Sequence, residues 1–250
     1  MLQASFRFND ELNDFLTAKQ GAEPFLYSFE GRPAVKDAIE AMGIPHTEVA
    51  VITVNSQAVD FMHGLEDGDD LTVYPHSAYP LVDERFIQPF LPKGNPRFVL
   101  DVHLGKLAGF MRTAGFDTLH SSEDLGDERL AEIADTQGRV LLTRDVGLLK
   151  RSRIRFGYWL RQTQSREQFR EVIRHYHLAC KMRPFSRCTH CNGVVESVDK
   201  AAVVEQLPKG IADDPTLVKF VKCTDCGHVY WQGSHYTRMQ QFFTSVIDEA

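Results

Sequence analysis

The chain contains no apolar run approaching the roughly 18 residues of a membrane span. Its opening, Met1-Leu2-Gln3-Ala4-Ser5-Phe6-Arg7, has neither the basic nor the apolar region of a secretory signal. A cytosolic protein without membrane association is therefore expected. Internal repeats and low-complexity segments are also absent, which excludes repeat architectures and low-complexity tracts. Cysteine is scarce: of five, four form Cys188-Thr-His-Cys191 and Cys223-Thr-Asp-Cys226, which in a reducing compartment read as a metal site and not as disulfides. The fifth, Cys180, lies in an amphipathic stretch and reads as a small core residue. What remains is a globular composition, 250 residues and 43% hydrophobic, enough for one large domain or two to three small ones.

The net charge of −6 conceals segregation along the chain. Residues 1–96 carry 6 Lys and Arg against 15 Asp and Glu, residues 97–187 carry 17 against 11, and residues 188–250 carry 5 against 8. Within the middle segment, residues 144–187 hold 12 basic and 3 acidic side chains. A polyanion partner fits this excess, since Lys and Arg that neutralise phosphates release condensed counterions. A solvated basic face, or one docked on the acidic N-terminal segment, fits it as well.

Residues 1–80 read as a small α+β unit. Leu2 to Phe8 alternates as a strand, Pro24 to Phe29 is a second, and Val35, Ala38, Ile39 and Met42 fall at helical spacing after Pro33. Gly43 stops the helix, Val49 to Val54 is a buried strand, and Gly68 to Tyr74 gives a turn and a last strand. That order is the order of a ubiquitin-like β-grasp, and the wording of residues 43–49 and 67–75 resembles the sulfur-carrier (ThiS/MoaD-type) relatives of ubiquitin. Those carriers end in a free Gly-Gly, whereas here Tyr74 runs on into His76-Ser77-Ala78-Tyr79-Pro80, which argues against sulfur carriage. Pro80, Pro89, Pro92 and Pro96 make residues 81–96 a linker.

From Arg97 the pattern alternates between strand and helix, as an α/β domain with a parallel sheet requires. Leu104, Leu107, Ala108 and Met111 define one helix, capped by Gly115; Leu130, Ile133 and Ala134 define another, ended near Gly138. Arg139 to Thr143 and Ile154 to Leu160 are strands, and Phe169, Val172, Ile173 and Tyr176 stripe a helix with Ser165 as its cap. Asp101, Asp117 and Asp145 each close a short apolar run, and Glu123, Asp124, Asp127 and Glu128 open the second helix. If those runs are parallel strands, the acids meet on one edge of the sheet, where open α/β folds place ligands. Clustered carboxylates repel unless a cation sits among them, and with only oxygen donors at hand that cation is Mg²⁺ or Mn²⁺, the ions of phosphodiester chemistry. The competing reading makes Asp101, Asp127 and Asp145 helix caps, which is compatible with metal binding. Lys106, Arg112, Arg144, Lys150, Arg151, Arg153 and Arg155 lie where they would hold a nucleic-acid backbone.

The stretches Arg97-Phe98-Val99-Leu100-Asp101, Leu104-Gly105-Lys106-Leu107-Ala108, Met111-Arg112, Gly115-Phe116-Asp117 and 138–145, ending Thr143-Arg144-Asp145, together with the two Cys pairs, closely resemble the Mut-seven C-terminal ribonuclease domain family. The resemblance spans nearly the whole chain. It implies a PIN-like nuclease fold at residues 97–187, an appended zinc ribbon at 188–250, a ubiquitin-like domain in front, and RNA hydrolysis. It further implies that Asp101, Asp127 and Asp145 occupy the acidic positions of a PIN-like active site, with Asp117, Asp124 and Glu128 as additional acids.

The 31 residues between Cys191 and Cys223 suit a closed four-thiolate Zn²⁺ site, structural because no coordination position is left open. His190, His228 and His235 read as ordinary polar residues. The following Val229 to Arg238 stretch interleaves aromatic and basic groups, suited to stacking on bases or to packing. The expectation is a cytosolic, metal-dependent ribonuclease with Zn²⁺ in its ribbon and a β-grasp domain able to dock a protein. Its rival is a non-catalytic RNA-binding or adaptor protein.

Overall fold

The computed structural model describes residues 1–17 and 23–249. In chain order its elements are β1 (Leu2–Phe8), β2 (Phe25–Phe29), α1 (Val35–Ala41), β3 (Val49–Val54), β4 (Gln57–Val59), β5 (Asp70–Pro75), β6 (Phe98–Leu100), α2 (Gly105–Thr113), β7 (Thr118–Leu119) and α3 (Gly126–Gln137). There follow β8 (Val140–Thr143), α4 (Val146–Leu149), β9 (Gly157–Trp159), α5 (Ser165–His175), β10 (Val195–Val198), α6 (Lys200–Val203), α7 (Lys209–Ala212), β11 (Phe220–Cys223), β12 (Val229–Trp231) and α8 (Ser234–Asp248). They form two compact units, residues 1–93 with 126–159 and residues 94–125 with 160–250. These units do not coincide with the four segments read from the sequence. No helix among the described residues is long and apolar enough to cross a membrane.

The first unit opens with a β-grasp. Along β1 the inward positions Ala4, Phe6 and Phe8 are buried, as alternation requires, and they pack with Val35, Ala38 and Ile39 of α1 in one core. The sheet order is β2-β1-β5-β3-β4, with β1 and β5 parallel and the other pairs antiparallel. Gly43, at φ +114°, ends the helical segment as anticipated. Strand β4 has no counterpart in the sequence reading. It returns through Asn55 and Ser56, both left-handed (φ +49° and +67°), a two-residue hairpin turn that carries Ser where Gly is the usual marker.

The same unit holds β8 and β9, a parallel pair in which Leu141 faces Gly157. Four contacts fasten this pair and the segment between its strands to the β-grasp. The buried Glu48 carboxylate accepts the Trp159 N–H at 2.7 Å, and the His46 ring spans from the Glu40 carboxylate (2.6 Å) to the Ile154 carbonyl (2.7 Å). Lys150 Nζ donates to the Glu40 carbonyl at 2.8 Å. Phe15 packs against Trp159 with ring centroids 4.9 Å apart.

In the second unit β6 and β7 run parallel, with Phe98 beside Thr118. Phe110, Phe169, Phe242 and Phe243, from α2, α5 and α8, meet at centroid separations of 5.5 to 6.1 Å. Gly115 follows α2 at φ +95°, where a Cβ would lie 2.3 Å from the Arg183 carbonyl, so only glycine fits. Strands β10, β11 and β12 form the antiparallel ribbon. Helix α5 starts at Ser165 itself, so Gln164 occupies the cap position and the expected Ser165 cap is not formed. Cys180, read as a core residue, is exposed because it falls on a 3-10 turn beyond the striped face of α5.

After β5 the chain stays on the unit, with the His76 ring stacked on Phe90 at 4.6 Å. Burial pushes the His76 pKa down to about 4, against the opposing effect of a hydrogen bond with the Thr47 backbone. Because the unfolded chain takes up this proton near pH 6.5 and the folded chain only near 4, stability is retained above 6.5 and falls as pH drops between those values. The expected loss is on the order of 3 kcal/mol. Thermal midpoints measured from pH 7 to 4 should fall in the wild type, and His76→Phe should flatten that decline.

Candidate functional site

Asp145 follows β8 and caps α4, its Oδ1 accepting the N–H of Gly147 at 2.7 Å and of Leu148 at 3.3 Å. Its own N–H donates to Thr143 Oγ1 at 2.9 Å, which holds the turn. Asp101 directly follows β6 and is half-buried at the start of a 3-10 turn, but its side chain makes no capping bond there. Asp127 lies inside the first turn of α3 and not before it, and its Oδ2 accepts from Arg151 at 3.2 Å. Asp124 and Glu128 are exposed nearby in sequence.

Asp117 differs from the expectation. It precedes β7 instead of ending a strand: Oδ1 accepts from Asn192 Nδ2 at 2.9 Å, and Oδ2 lies 3.6 Å from the Arg187 guanidinium. Among the described residues, the four cysteines form a group of side chains whose ligand atoms all lie close together.

The basic residues also divide. Lys106, Arg144, Arg153 and Arg155 are exposed. Lys150 is engaged with Glu40 and Arg151 with Asp127, the latter an exposed pair of the kind that contributes at most about 1 kcal/mol. Arg112, anticipated as a phosphate contact, is buried. Its Nε donates to the Thr118 carbonyl at 2.9 Å, and one terminal nitrogen donates to the carbonyls of Thr189 (3.0 Å) and His190 (3.1 Å). Burial pushes the guanidinium pKa down, while Cys188, Cys191, Asp117 and Tyr230 pull it back up.

Those carbonyls belong to the first cysteine turn. The sulfur atoms of Cys188, Cys191, Cys223 and Cys226 lie within 4.8 Å of one another, with Cys188 to Cys226 at 3.6 Å and Cys191 to Cys223 at 3.4 Å. Backbone N–H groups of Cys191 and Gly193 donate to the Cys188 and Cys191 sulfurs at 3.5 and 3.4 Å. The Tyr230 hydroxyl lies 3.1 Å from Cys188 Sγ and accepts from the Thr189 N–H. Burial alone pushes the Cys188 thiol up, yet hydrogen bonds with Tyr230, the Cys191 and His190 backbone and Cys226 bring it down to about 6. At Cys226 the His228 backbone lowers the pKa and burial with the neighbouring thiols raises it, leaving it pushed up to about 12. Four thiols so close do not all ionise unless a cation joins them.

Asn192, unremarked in the sequence, completes the turn. It takes the left-handed position after Cys191 (φ +73°), which asparagine tolerates, and its amide both accepts the Thr118 N–H at 2.9 Å and donates to Asp117. An asparagine next to a Cys pair was the available signal.

Residues 96–243 match the family described as Mut7-C RNAse domain, and residues 1–79 match Mut7-C ubiquitin. The chain belongs to the Mut7-C RNAse domain family. No protein of curated function matches it. Among solved structures, H. volcanii small archaeal modifier protein 1 matches at 14% identity over 30% of this chain and 98% of its own, with a TM-score of 0.25.

In this Mut7-C chain Arg112 thus fastens α2 and β7 to the cysteine turn. Arg112→Met keeps the bulk but strips the buried Thr118 carbonyl and the two carbonyls of the cysteine turn of their donor, and a loss of about 3 kcal/mol is expected in urea denaturation of the whole protein. A variant as stable as the wild type would mean those carbonyls find other donors.

Proposed function

We propose that this protein is a metal-dependent ribonuclease that hydrolyses RNA phosphodiester bonds, with Asp101, Asp127 and Asp145 as its catalytic carboxylates. The match of residues 96–243 to the Mut7-C RNAse domain carries the reading. Asp101 and Asp145 support it by their places at the carboxyl ends of β6 and β8, each in a parallel pair, the end at which α/β folds bind ligands.

The donors are oxygen only, which suits Mg²⁺ or Mn²⁺. Mg²⁺ asks for one or two carboxylates and keeps its waters, so the set fits a hydrated ion better than a three-carboxylate cage. Asp145 has Oδ2 outside its cap for this purpose, and Asp127 sits in an exposed ion pair that exchanges partners at little cost. Such an ion supplies polarisation of the phosphoryl oxygen and acidifies water. Lys106, Arg144, Arg153 and Arg155 would hold the RNA backbone without reading sequence. Asp145→Asn retains the cap, because asparagine caps as well as aspartate, and should lower Mn²⁺-dependent cleavage of single-stranded RNA on the order of 10³-fold with the fold unchanged. Unaltered turnover would reject the assignment.

We further propose that Zn²⁺ occupies the four cysteines in a structural role. A tetrahedron with Zn–S bonds of about 2.3 Å has sulfur separations near 3.8 Å, close to those found here, and the buried Arg112 offsets part of the thiolate charge. Cys223→Ser should lose about one zinc per chain, read by elemental analysis, and lower the thermal midpoint. The reading places the protein in the cytosol, where thiols stay reduced. It also makes the β-grasp a docking surface for a protein partner, with Leu26 on edge strand β2 and Met62 exposed at 66% and 77%.

The rival is a non-catalytic RNA-binding or adaptor protein, in which Asp145 serves as the cap of α4 and Asp127 as the ion-pair partner of Arg151 and neither takes part in chemistry. A Mn²⁺ titration separates the two, because an adaptor binds RNA equally well at every concentration and releases no product.

A further inference from the structure

The second unit contains a groove of about 1040 Å³, lined by the ribbon strands, the chain before Cys188 and the start of α8. Its volume lies at the top of the usual range for ligand sites, about 300–1,000 Å³. The walls are aromatic. Phe185 and Tyr236 already stack, with centroids 4.1 Å apart and planes 30° from parallel, and Trp231 lies close by on β12. Gly233 allows this crowding, since a Cβ there would come within 3.2 Å of the Trp231 indole nitrogen.

A second observation concerns backbone. Phe185 sits at φ +63°, a conformation that bulky residues rarely adopt, and it is held there by its N–H donating to the Thr113 carbonyl at 2.7 Å. Strain of this kind concentrates at binding sites, where it fixes a side chain in a required direction. Here the fixed side chain is one half of the stacked pair. Of the charged groups in the lining, Arg187 is already engaged with Asp117, which leaves the exposed Lys219 and the acid Asp199, with His228 and His235 besides, so the cation at hand for an anion is Lys219. Flat rings with cations at hand are what proteins use to hold bases and backbone of single strands.

We propose that this groove binds unpaired bases of single-stranded RNA, which extend the Phe185–Tyr236 stack while Lys219 meets the backbone. The proposal rests on the ribonuclease reading for its ligand and deepens it: the ribbon would present unpaired strands, not duplexes, to the nuclease.

The test is fluorescence anisotropy of a labelled uridine oligomer of about 12 nucleotides with the full-length, zinc-loaded protein, in an Asp145→Asn background without added divalent ions. Tyr236→Leu keeps an apolar partner for Phe185 but removes the π face, and the dissociation constant should rise about 5- to 150-fold, the range for losing one base stack. Lys219→Glu, on an exposed position, should also weaken binding and flatten its salt dependence. The same oligomer paired with its complement should compete poorly. Binding that is the same in both variants and the parent overturns the proposal, as does equal competition by the duplex or no binding by the parent. Should the native chain show no Mn²⁺-dependent cleavage while Tyr236→Leu still loses binding, the ribonuclease reading fails and the groove stands.

Discussion

A guanidinium taken out of water stays there only if acceptors replace the water, and the second unit is organised around one that has them. Arg112 reaches from α2 to three carbonyls, one at β7 and two in the first cysteine turn. Asn192 returns from that turn to β7 and to Asp117. Sequence neighbours do not bring these segments together, since Thr118 and Asn192 are 74 positions apart. The positive charge stands beside sulfurs that become negative once they hold a metal, so the cysteine turn and the helix that fastens it are electrostatically matched. With this lock in place, the ribbon is a defined wall on which an aromatic groove can be built.

The first unit uses the same device with the sign reversed. Glu48 is a buried carboxylate, and it remains so because it accepts a backbone N–H from β9. The His46 ring has an oxygen opposite each nitrogen, one from the Glu40 carboxylate and one from the Ile154 carbonyl. In both units, then, a polar side chain that periodicity would assign to solvent is drawn inward and satisfied by main chain.

This explains what could be read in advance. Strands β1 and β3 and helices α1 and α2 were legible because their burial follows from spacing alone: Ala4, Phe6 and Phe8 at every second position, Leu107, Ala108 and Met111 along one helical face. The four cysteines were legible because thiol pairs at that spacing have few other uses. Arg112 was misread because a basic residue on an amphipathic helix looks the same whether its guanidinium meets phosphate or carbonyl. Asp117 was misread for a related reason, since a carboxylate after an apolar residue says nothing of the amide it will receive. Strand β4 was missed because its turn replaces glycine with serine, and Asn192 because a single left-handed residue leaves almost no mark on composition.

The Glu48 contact has a bearing on how the chain tolerates being shortened. Strand β9 lies at a margin of its sheet, and sheet margins are where strands from other molecules add unless their amides are occupied. Glu48 occupies the Trp159 amide with a carboxylate, so that position of the margin is closed to a further strand. Removing residues 1–93 would uncover that amide and the Trp159 ring face now packed against Phe15, so the shortened chain would carry both an open strand margin and an exposed aromatic surface.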